Sequence, residues 1–359
     1  MTLLPPQDQM EILRRLAPGT ELRNAVDLIL RQGTGALVIL GDGATVESMC
    51  SGGFFLDAAQ FTAQRLAELA KMDGGIVLDD DNEYIVRANV HFIPDPTLAT
   101  DETGTRFRTA ERLSQQTDRP ILAISEEGRS IAVVYWNGTR RELRRPQVLE
   151  AEANQRLISL ERLRRRLQEA EDRLTRSEVD DVVMVRDVSL LLLRAALVRR
   201  LYADVKRTVI ELGGEGQLIS LQAADLIEGV DDLAETVYQD YSKRRTRNGK
   251  SVFERLQSVP TEDLYVASRV AAAIGMDPLD AAVRPRGIRA LSRVPRLPDA
   301  VKDALISHFK DFQRMVHAPV ADLDKVEGVG AARAEQLRSY FDRLLEVGMA
   351  WRFEDDGRL

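Results

Sequence analysis

The residues with chemistry in this chain gather in a few short segments. Asp101-Glu-Thr-Gly-Thr-Arg-Phe-Arg-Thr-Ala-Glu111 sets Thr105, Arg106, Arg108 and Thr109 around a turn opened by Gly104, at the expected start of a helix. Two guanidinium groups, two hydroxyls and the free N–H groups of a helix start make a cradle for phosphate. Downstream, Ser125-Glu126-Glu127-Gly128 ends an expected strand. Acidic residues at a strand end beside such a cradle point to a divalent cation. Two Asp-Gly pairs lie upstream: Asp42-Gly43-Ala44 follows one strand, and Asp73-Gly74-Gly75 precedes another. The chain has no Gly-x-x-x-x-Gly-Lys-Ser/Thr and no Gly-x-Gly-x-x-Gly, so P-loop and dinucleotide folds lack their signatures.

A different chemistry sits near the carboxyl end. Gly328-Val329-Gly330 lies between two helical patterns, the second starting near Ala331. Glycine permits a tight turn and close approach of the backbone, and a helix start offers N–H groups to an anion. The run from Val326 to Ala334 resembles the helix-hairpin-helix motif, which grips a DNA backbone without reading bases. Gly328, Gly330 and Arg333 are the expected contacts. This hairpin is the second half of a repeat with an offset of 32 residues: Leu291 matches Leu323, Val294 matches Val326, Leu297 matches Val329, Leu305 matches Leu337, and Phe309 matches Phe341. Such self-similarity marks a duplicated supersecondary unit. The first copy carries Pro295 and Pro298 at the glycine positions and reads as structural. From Arg284 to Arg343 there are 12 Lys and Arg against 8 Asp and Glu, a local excess of +4 in a chain of net charge −7. Backbone binding by this module would be sequence-independent and sensitive to salt.

These segments need elements to position them. At 359 residues the chain is long enough for two or three domains. Apolar residues make up 44% and charged residues 30%, a soluble globular composition. Up to about residue 146, short apolar runs bounded by Gly, Asp, Asn or Pro read as strands: Ala36–Leu40, Ile76–Leu78, Tyr84–Val86, Ile121–Ile124 and Ile131–Trp136. Helices are expected over Phe61–Met72 and from Thr109 to about Thr117, giving a mixed sheet covered by helices. From Leu149 to Leu174, Leu157, Leu160, Leu163, Leu167 and Leu174 mark one face of a long helix. Ser177 is the expected N-cap of a second helix running through Val188 to Leu212, which Gly213-Gly214-Glu215-Gly216 ends. The basic stretch Lys243–Lys250 reads as an exposed loop. The expected division is 1–146 nucleotide-binding, 147–283 helical spine and 284–359 tandem helix-hairpin-helix. One Cys (Cys50) and three His (His91, His308, His317) exclude an intrachain disulfide and a Cys/His zinc site. The polar start, Met1 to Met10, shows no secretory signal, and the most apolar stretch, Val188–Leu193, is far too short for a membrane span.

Over nearly its whole length the chain resembles the family of DNA integrity scanning proteins with diadenylate cyclase activity. The matching segments, in order, are Ala17-Pro-Gly-Thr20, Thr34-Gly-Ala-Leu37, Gly52-Gly-Phe54, Lys71-Met-Asp-Gly74, Arg87-Ala-Asn89, Asp101 to Glu111, Gln116-Thr117, Ile124-Ser-Glu126, Glu211-Leu-Gly213, Pro285-Arg-Gly287 and Val294 to Pro298. The resemblance implies condensation of two ATP into cyclic di-3′,5′-adenylate and two pyrophosphates across a subunit interface, with Mg²⁺ or Mn²⁺. It also implies a homo-octamer, binding of branched or junction DNA that inhibits the cyclase, and a cytoplasmic, nucleoid-associated location without a membrane. The family's Asp-Gly-Ala motif falls on Asp73-Gly74-Gly75, because it follows Lys71-Met72, which leaves Asp42-Gly43 outside the site. Asp73 is then the expected catalytic and metal-binding residue, with Glu126 the weaker metal ligand. Gly74, Gly75, Phe92, Thr105, Arg106, Phe107, Arg108, Thr109 and Ser125 are the expected ATP contacts.

The chain departs from the family pattern in three places: Phe107 replaces the usual His, Gly75 replaces Ala, and Phe92 replaces Leu. Phe107 cannot donate a hydrogen bond or carry charge. The alternative implied by these departures is a catalytically impaired DNA-binding scaffold of the same family. A nuclease or ligase lacks its carboxylate-rich or adenylated-lysine motif here.

Overall fold

A computed structural model gives the fold and describes residues 7–126, 131–242 and 251–355. Glu127, Gly128 and the expected loop Lys243–Lys250 lie outside the described residues, as does the start of the chain to Pro6. The chain divides into two compact units. Of the described residues, one holds those up to Asn154 together with Lys206–Ser220, and the other holds Gln155–Val205 and those from Leu221 onward.

The first unit is built on eight strands: β1 Thr34–Leu40, β2 Cys50–Ser51, β3 Phe54–Gln60, β4 Gly75–Leu78, β5 Tyr84–Phe92, β6 Ile121–Glu126, β7 Ala132–Trp136 and β8 Thr139–Glu142. Their order across the sheet is β2-β5-β4-β1-β6-β7-β8, with β3 also on β5. Among the described residues only β1 and β4 pair in parallel, so the sheet is mixed as expected. Side chains alternate across a strand. Along β1, Ala36, Val38 and Leu40 enter one core and Leu37 and Ile39 enter the other. Helices cover both faces, which is why β1 and β6 read as unbroken apolar runs. The first core is closed by α2 (Glu21–Gln32) and α4 (Ala63–Leu69), through Ala25, Val26, Ile29 and Leu66. The second is closed by α3 (Ala44–Ser48) and α5 (Thr105–Gln116), through Val46, Ala110 and Leu113. Helix α1 (Gln7–Arg15) precedes them.

The expected helix over Phe61–Met72 is shorter. Thr62 caps it, its hydroxyl accepting from Arg65 N at 3.2 Å, and it ends at Leu69. The helix expected from Thr109 begins four residues earlier, at Thr105, after Gly104 with φ +86°.

Two long helices follow, α6 (Pro146–Val179) and α7 (Val185–Leu212). Ser177 is not an N-cap: it lies inside the last turn of α6. The second helix starts after it, where Asp187 Oδ2 accepts from Met184 N at 3.0 Å. The Gly213–Gly216 segment ends α7 in a 3₁₀ turn. The strip around Glu211 belongs with the sheet. Arg141 and Arg144 both pair with Glu211, whose carboxylate is buried.

Helix α8 (Gln217–Ile227) starts in the first unit and ends in the second, which then holds α9 (Val230–Tyr241), α10 (Val252–Leu256), α11 (Ala267–Ile274), α12 (Ile288–Ser292), α13 (Asp299–Phe309), α14 (Phe312–Val316), α15 (Val320–Leu323) and α16 (Ala331–Asp355). The sequence repeat builds one core. Leu291, Leu323, Leu305, Leu337 and Phe341 are fully buried in it together. With the 32-residue offset, Gly328 corresponds to Arg296 and not to Pro295. The backbone agrees: Arg296 has φ +58° and Gly328 has φ +80°. The first hairpin therefore keeps the left-handed turn of the second although it lacks the glycine. Pro298 corresponds to Gly330 and leads directly into α13.

Candidate active site

Strand directions gather most of the expected site at one end of the sheet. Strand β1 begins there with Thr34 and Gly35, β4 begins there with Gly75, and β6, antiparallel to β1, ends there with Ser125 and Glu126. Phe92, at the end of β5, arrives beside the start of β4, where Gly75 pairs with Val90. The other Asp-Gly pair follows β1 and so lies at the opposite end. There the Asp42 carbonyl accepts from Arg119 Nε at 3.2 Å, and Arg119 also pairs with Asp80. Parallel pairing of β1 and β4 thus separates the two Asp-Gly turns by the length of a strand.

Asp73 is exposed in the turn between α4 and β4. The two glycines after it are fixed by close contacts. A Cβ on Gly74 would lie 2.6 Å from the Asn89 backbone. Asn89 itself takes φ +56°. A Cβ on Gly75 would lie 1.9 Å from Phe92 Cε2. Cys50 pairs with Phe92 across β2 and β5, and burial pushes its thiol above the ordinary value. It is therefore a poor nucleophile.

The phosphate-cradle residues all fall in the first turns of α5. Thr105 and Arg108 are exposed, and Arg106, Phe107 and Thr109 are half-buried. Phe107 packs against the second core rather than facing water. Arg108 Nε donates to the Glu102 carbonyl at 3.0 Å. The Glu102 carboxylate accepts from Tyr135 Oη at 2.5 Å and from Arg140 Nε at 2.7 Å. Burial and this carboxylate push the Tyr135 phenol up, so it stays a donor. Glu102 thereby pins the loop that enters α5. Nothing in its sequence neighbourhood marks it, because Tyr135 and Arg140 come from the far strands of the sheet.

Ser125 is buried, and its Oγ accepts from Ile131 N at 2.9 Å across the end of the β6–β7 pair. Glu126 is engaged by an arginine: Arg106 Nη2 donates to Glu126 Oε1 at 2.6 Å. Among the described residues no group of three or more His, Cys, Asp or Glu could hold a metal ion. The protein side of the site offers Asp73, an exposed carboxylate in the turn that leads into β4 at this end of the sheet. That donor set fits a divalent cation such as Mg²⁺ or Mn²⁺, which Asp73 would hold through a single carboxylate.

At the carboxyl end, Gly328 and Gly330 differ. Gly328 needs its positive φ, and a Cβ there would lie 3.1 Å from Val301 Cγ2. Gly330 has an ordinary φ and open space around its Cβ position. Its carbonyl accepts from Arg333 N and Ala334 N at 2.9 Å, starting α16. Arg333 Nη1 donates to the Gly328 carbonyl at 2.5 Å, so the arginine lies over its own hairpin.

A sequence model described as DisA bacterial checkpoint controller nucleotide-binding matches residues 23–139. A second, the DisA bacterial checkpoint controller linker region, matches residues 143–282. The DNA integrity scanning protein DisA of Streptomyces coelicolor is 44% identical over 349 residues, covering 95% of this chain and 93% of that protein. The protein of the same name from Kineococcus radiotolerans is 42% identical over 360 residues, covering 98% of this chain and 100% of that protein. A solved structure of DacA from Staphylococcus aureus covers 40% of this chain and 95% of that chain, with TM-score 0.31 at 18% identity, too slight a likeness to build on.

Proposed function

This chain belongs to the DisA family of bacterial checkpoint controllers, and on that premise we propose how its diadenylate cyclase works. One observation supports the reading: Gly75, Phe92, Ser125 and the start of α5, which reaches Glu126 through Arg106, lie at the same end of the sheet, where the exposed Asp73 precedes β4. ATP binds there with its triphosphate along the first turns of α5. Thr105 and Thr109 offer hydroxyls, and Arg106 and Arg108 offer guanidinium N–H groups. Ser125 Oγ already accepts from Ile131 N, which leaves its O–H to donate to a phosphate oxygen. Gly74 presents backbone to the nucleotide, and Phe92 flanks the adenine.

Asp73 would hold Mg²⁺ or Mn²⁺, which supplies neutralisation of phosphate charge and a lowered pKa for the ribose hydroxyl. Asp73 also accepts the proton leaving the 3′-hydroxyl. Each 3′-oxygen forms a bond to the α-phosphorus of the opposite nucleotide as the bond to the bridging oxygen breaks. Two ATP then give one cyclic dinucleotide and two pyrophosphates. Two copies of the sheet end would then face one another, each holding one ATP, in the homo-octamer that the family resemblance implies. The tandem helix-hairpin-helix, through Gly328, Gly330 and Arg333, grips the backbone of branched DNA and lets it restrain the cyclase.

The family departures do not favour an impaired scaffold. Phe107 is used for packing, and Gly75 and Phe92 accommodate each other. The test is direct: the purified protein with ATP and Mg²⁺ or Mn²⁺ should release two pyrophosphates for each cyclic dinucleotide resolved by chromatography. Folded protein that makes no cyclic dinucleotide with either metal would overturn the reading.

A further inference from the structure

Arg106 sits in a seat made by two residues from other strands. Its Nη2 lies 2.6 Å from Glu126 Oε1. Its guanidinium also lies against Gly35, where a Cβ would come within 2.6 Å of Nη1, 2.9 Å of Cζ and 2.9 Å of Glu126 Cγ. Gly35 is buried in β1, yet it has φ +67°, a value foreign to a strand and open only to glycine at little cost. Thr34 pairs with Glu126 across β1 and β6, which brings Gly35 and Glu126 side by side at the sheet end. An arginine side chain has many rotamers, and holding one of them in advance reduces what is lost when phosphate binds. An ion pair this exposed, with Glu126 at 63% side-chain accessibility, contributes little to folding. Its consequence is therefore geometric.

We infer that Gly35 and Glu126 are positioning residues for the cyclase, which fix the Arg106 guanidinium for the triphosphate without touching the nucleotide. Glu126 orients one edge of the guanidinium by a charge-assisted hydrogen bond. Gly35 supplies the missing side chain that lets the group lie flat on β1. The inference rests on the reading of Arg106 as a phosphate ligand and gives Glu126 a role other than metal ligand.

The test is a cycle of full-length variants: Arg106→Ala, Glu126→Ala, Glu126→Gln and the double Arg106→Ala/Glu126→Ala. Cyclase kinetics would be read at saturating Mn²⁺. Affinity for an ATP analogue lacking the 3′-hydroxyl would be read by calorimetry with and without the metal. Glu126→Ala should raise the KM for ATP about tenfold or more, with a smaller change in kcat, and weaken the analogue even without metal. Glu126→Gln keeps an acceptor and should recover most of the loss. The double variant should be no worse than Arg106→Ala, because Glu126 acts through Arg106. Additive losses would overturn the inference. So would a Glu126→Ala variant that binds the analogue normally without metal. Arg106→Ala with unchanged KM and analogue affinity would instead overturn the reading of Arg106 itself. Gly35→Ala should reproduce the Glu126→Ala phenotype in folded protein, and wild-type nucleotide binding by it would count against the seat. If that variant does not fold, the Glu126 cycle decides alone.

Discussion

The ring of Phe92 fills the space that a side chain on Gly75 would need. The Gly75 Cβ position is 1.9 Å from Phe92 Cε2, 2.6 Å from Cδ2 and 2.7 Å from Cζ. At both places the family resemblance implies another residue, Ala at 75 and Leu at 92. The contact ties the two departures together: the ring at 92 occupies the space that a methyl group at 75 would need. Phe92 is 93% buried in the second core, so the ring cannot swing into solvent cheaply.

That coupling predicts a sign reversal. Gly75→Ala alone overpacks the pair and should cost about 1–3 kcal/mol of stability, with a drop in cyclase rate. Phe92→Leu alone leaves a gap and should cost about 1 kcal/mol. The double Gly75→Ala/Phe92→Leu should be more stable than either single variant, because each change relieves the other. Thermal unfolding of the four proteins measures this, and additive losses would show that the two sites are independent.

Asp73→Asn should abolish cyclisation at nearly constant side-chain volume while Tm and oligomeric state stay unchanged, since Asp73 is exposed. Asp42→Asn should keep wild-type rate, because its turn lies at the other end of the sheet and its contact to Arg119 is through the backbone carbonyl. Pyrophosphate release from the two variants separates the two turns.

How far these sites were legible depended on whether a local rule or a pairing decided them. The β1 and β6 runs were readable because both faces are buried and no polar alternation interrupts them. Strand β3 was not, because it exposes Phe54 and Phe55 and mixes polar with apolar residues. The start of α5 was readable from Gly104 and the hydroxyls. The contact of Arg106 with Gly35 and Glu126 was not, because positions 35, 106 and 126 meet only through the β1–β6 pairing. Ser177 misled because serine is a good cap, yet α6 continues through it to Val179. Arg296 was hidden for a similar reason: local composition pointed to the prolines, and only the backbone shows the left-handed turn.

Asp240 yields a pH prediction for the helical unit. Its carboxylate accepts from four backbone N–H groups: Arg286, Gly287 and Ile288 on Oδ1 at 2.7, 2.8 and 3.0 Å, and Arg289 on Oδ2 at 3.0 Å. These bonds tie α9 to the start of the repeat. Burial, with the nearby Glu178 carboxylate, pushes Asp240 from 3.8 up to about 6. The folded state therefore holds a proton that the unfolded chain has released, between those two values. The contribution of Asp240 is full below the lower value and falls as pH rises through the upper one. Asn at this position lacks that titration. The Tm difference between wild type and Asp240→Asn should thus shift against wild type as pH rises from about 4 to about 7. A constant difference would mean that the carboxylate titrates alike in both states.

The two hairpin glycines predict different failures. Gly328 has φ +80°, and its Cβ position is 3.1 Å from Val301 Cγ2. Gly328→Ala therefore strains the turn and should lower stability by about 1–2 kcal/mol, weakening DNA binding along with the fold. Gly330 has an ordinary φ and no heavy atom within 4 Å of its Cβ position. Gly330→Ala should leave Tm unchanged, and its methyl group would stand where an approaching phosphate backbone must come. Binding to every DNA sequence should then weaken by a similar factor, because backbone contacts carry no sequence information. Wild-type affinity should fall steeply with salt as counterions compete for the basic surface. Basal cyclase activity should persist in Gly330→Ala, since Asp73 and the α5 residues proposed for catalysis lie in the other compact unit, while the response to a four-way junction fades. Fluorescence anisotropy at two salt concentrations, with cyclase rates with and without the junction, measures both effects. Unaltered junction affinity in Gly330→Ala at wild-type Tm would move the DNA contact away from this hairpin and toward the other left-handed turn, at Arg296.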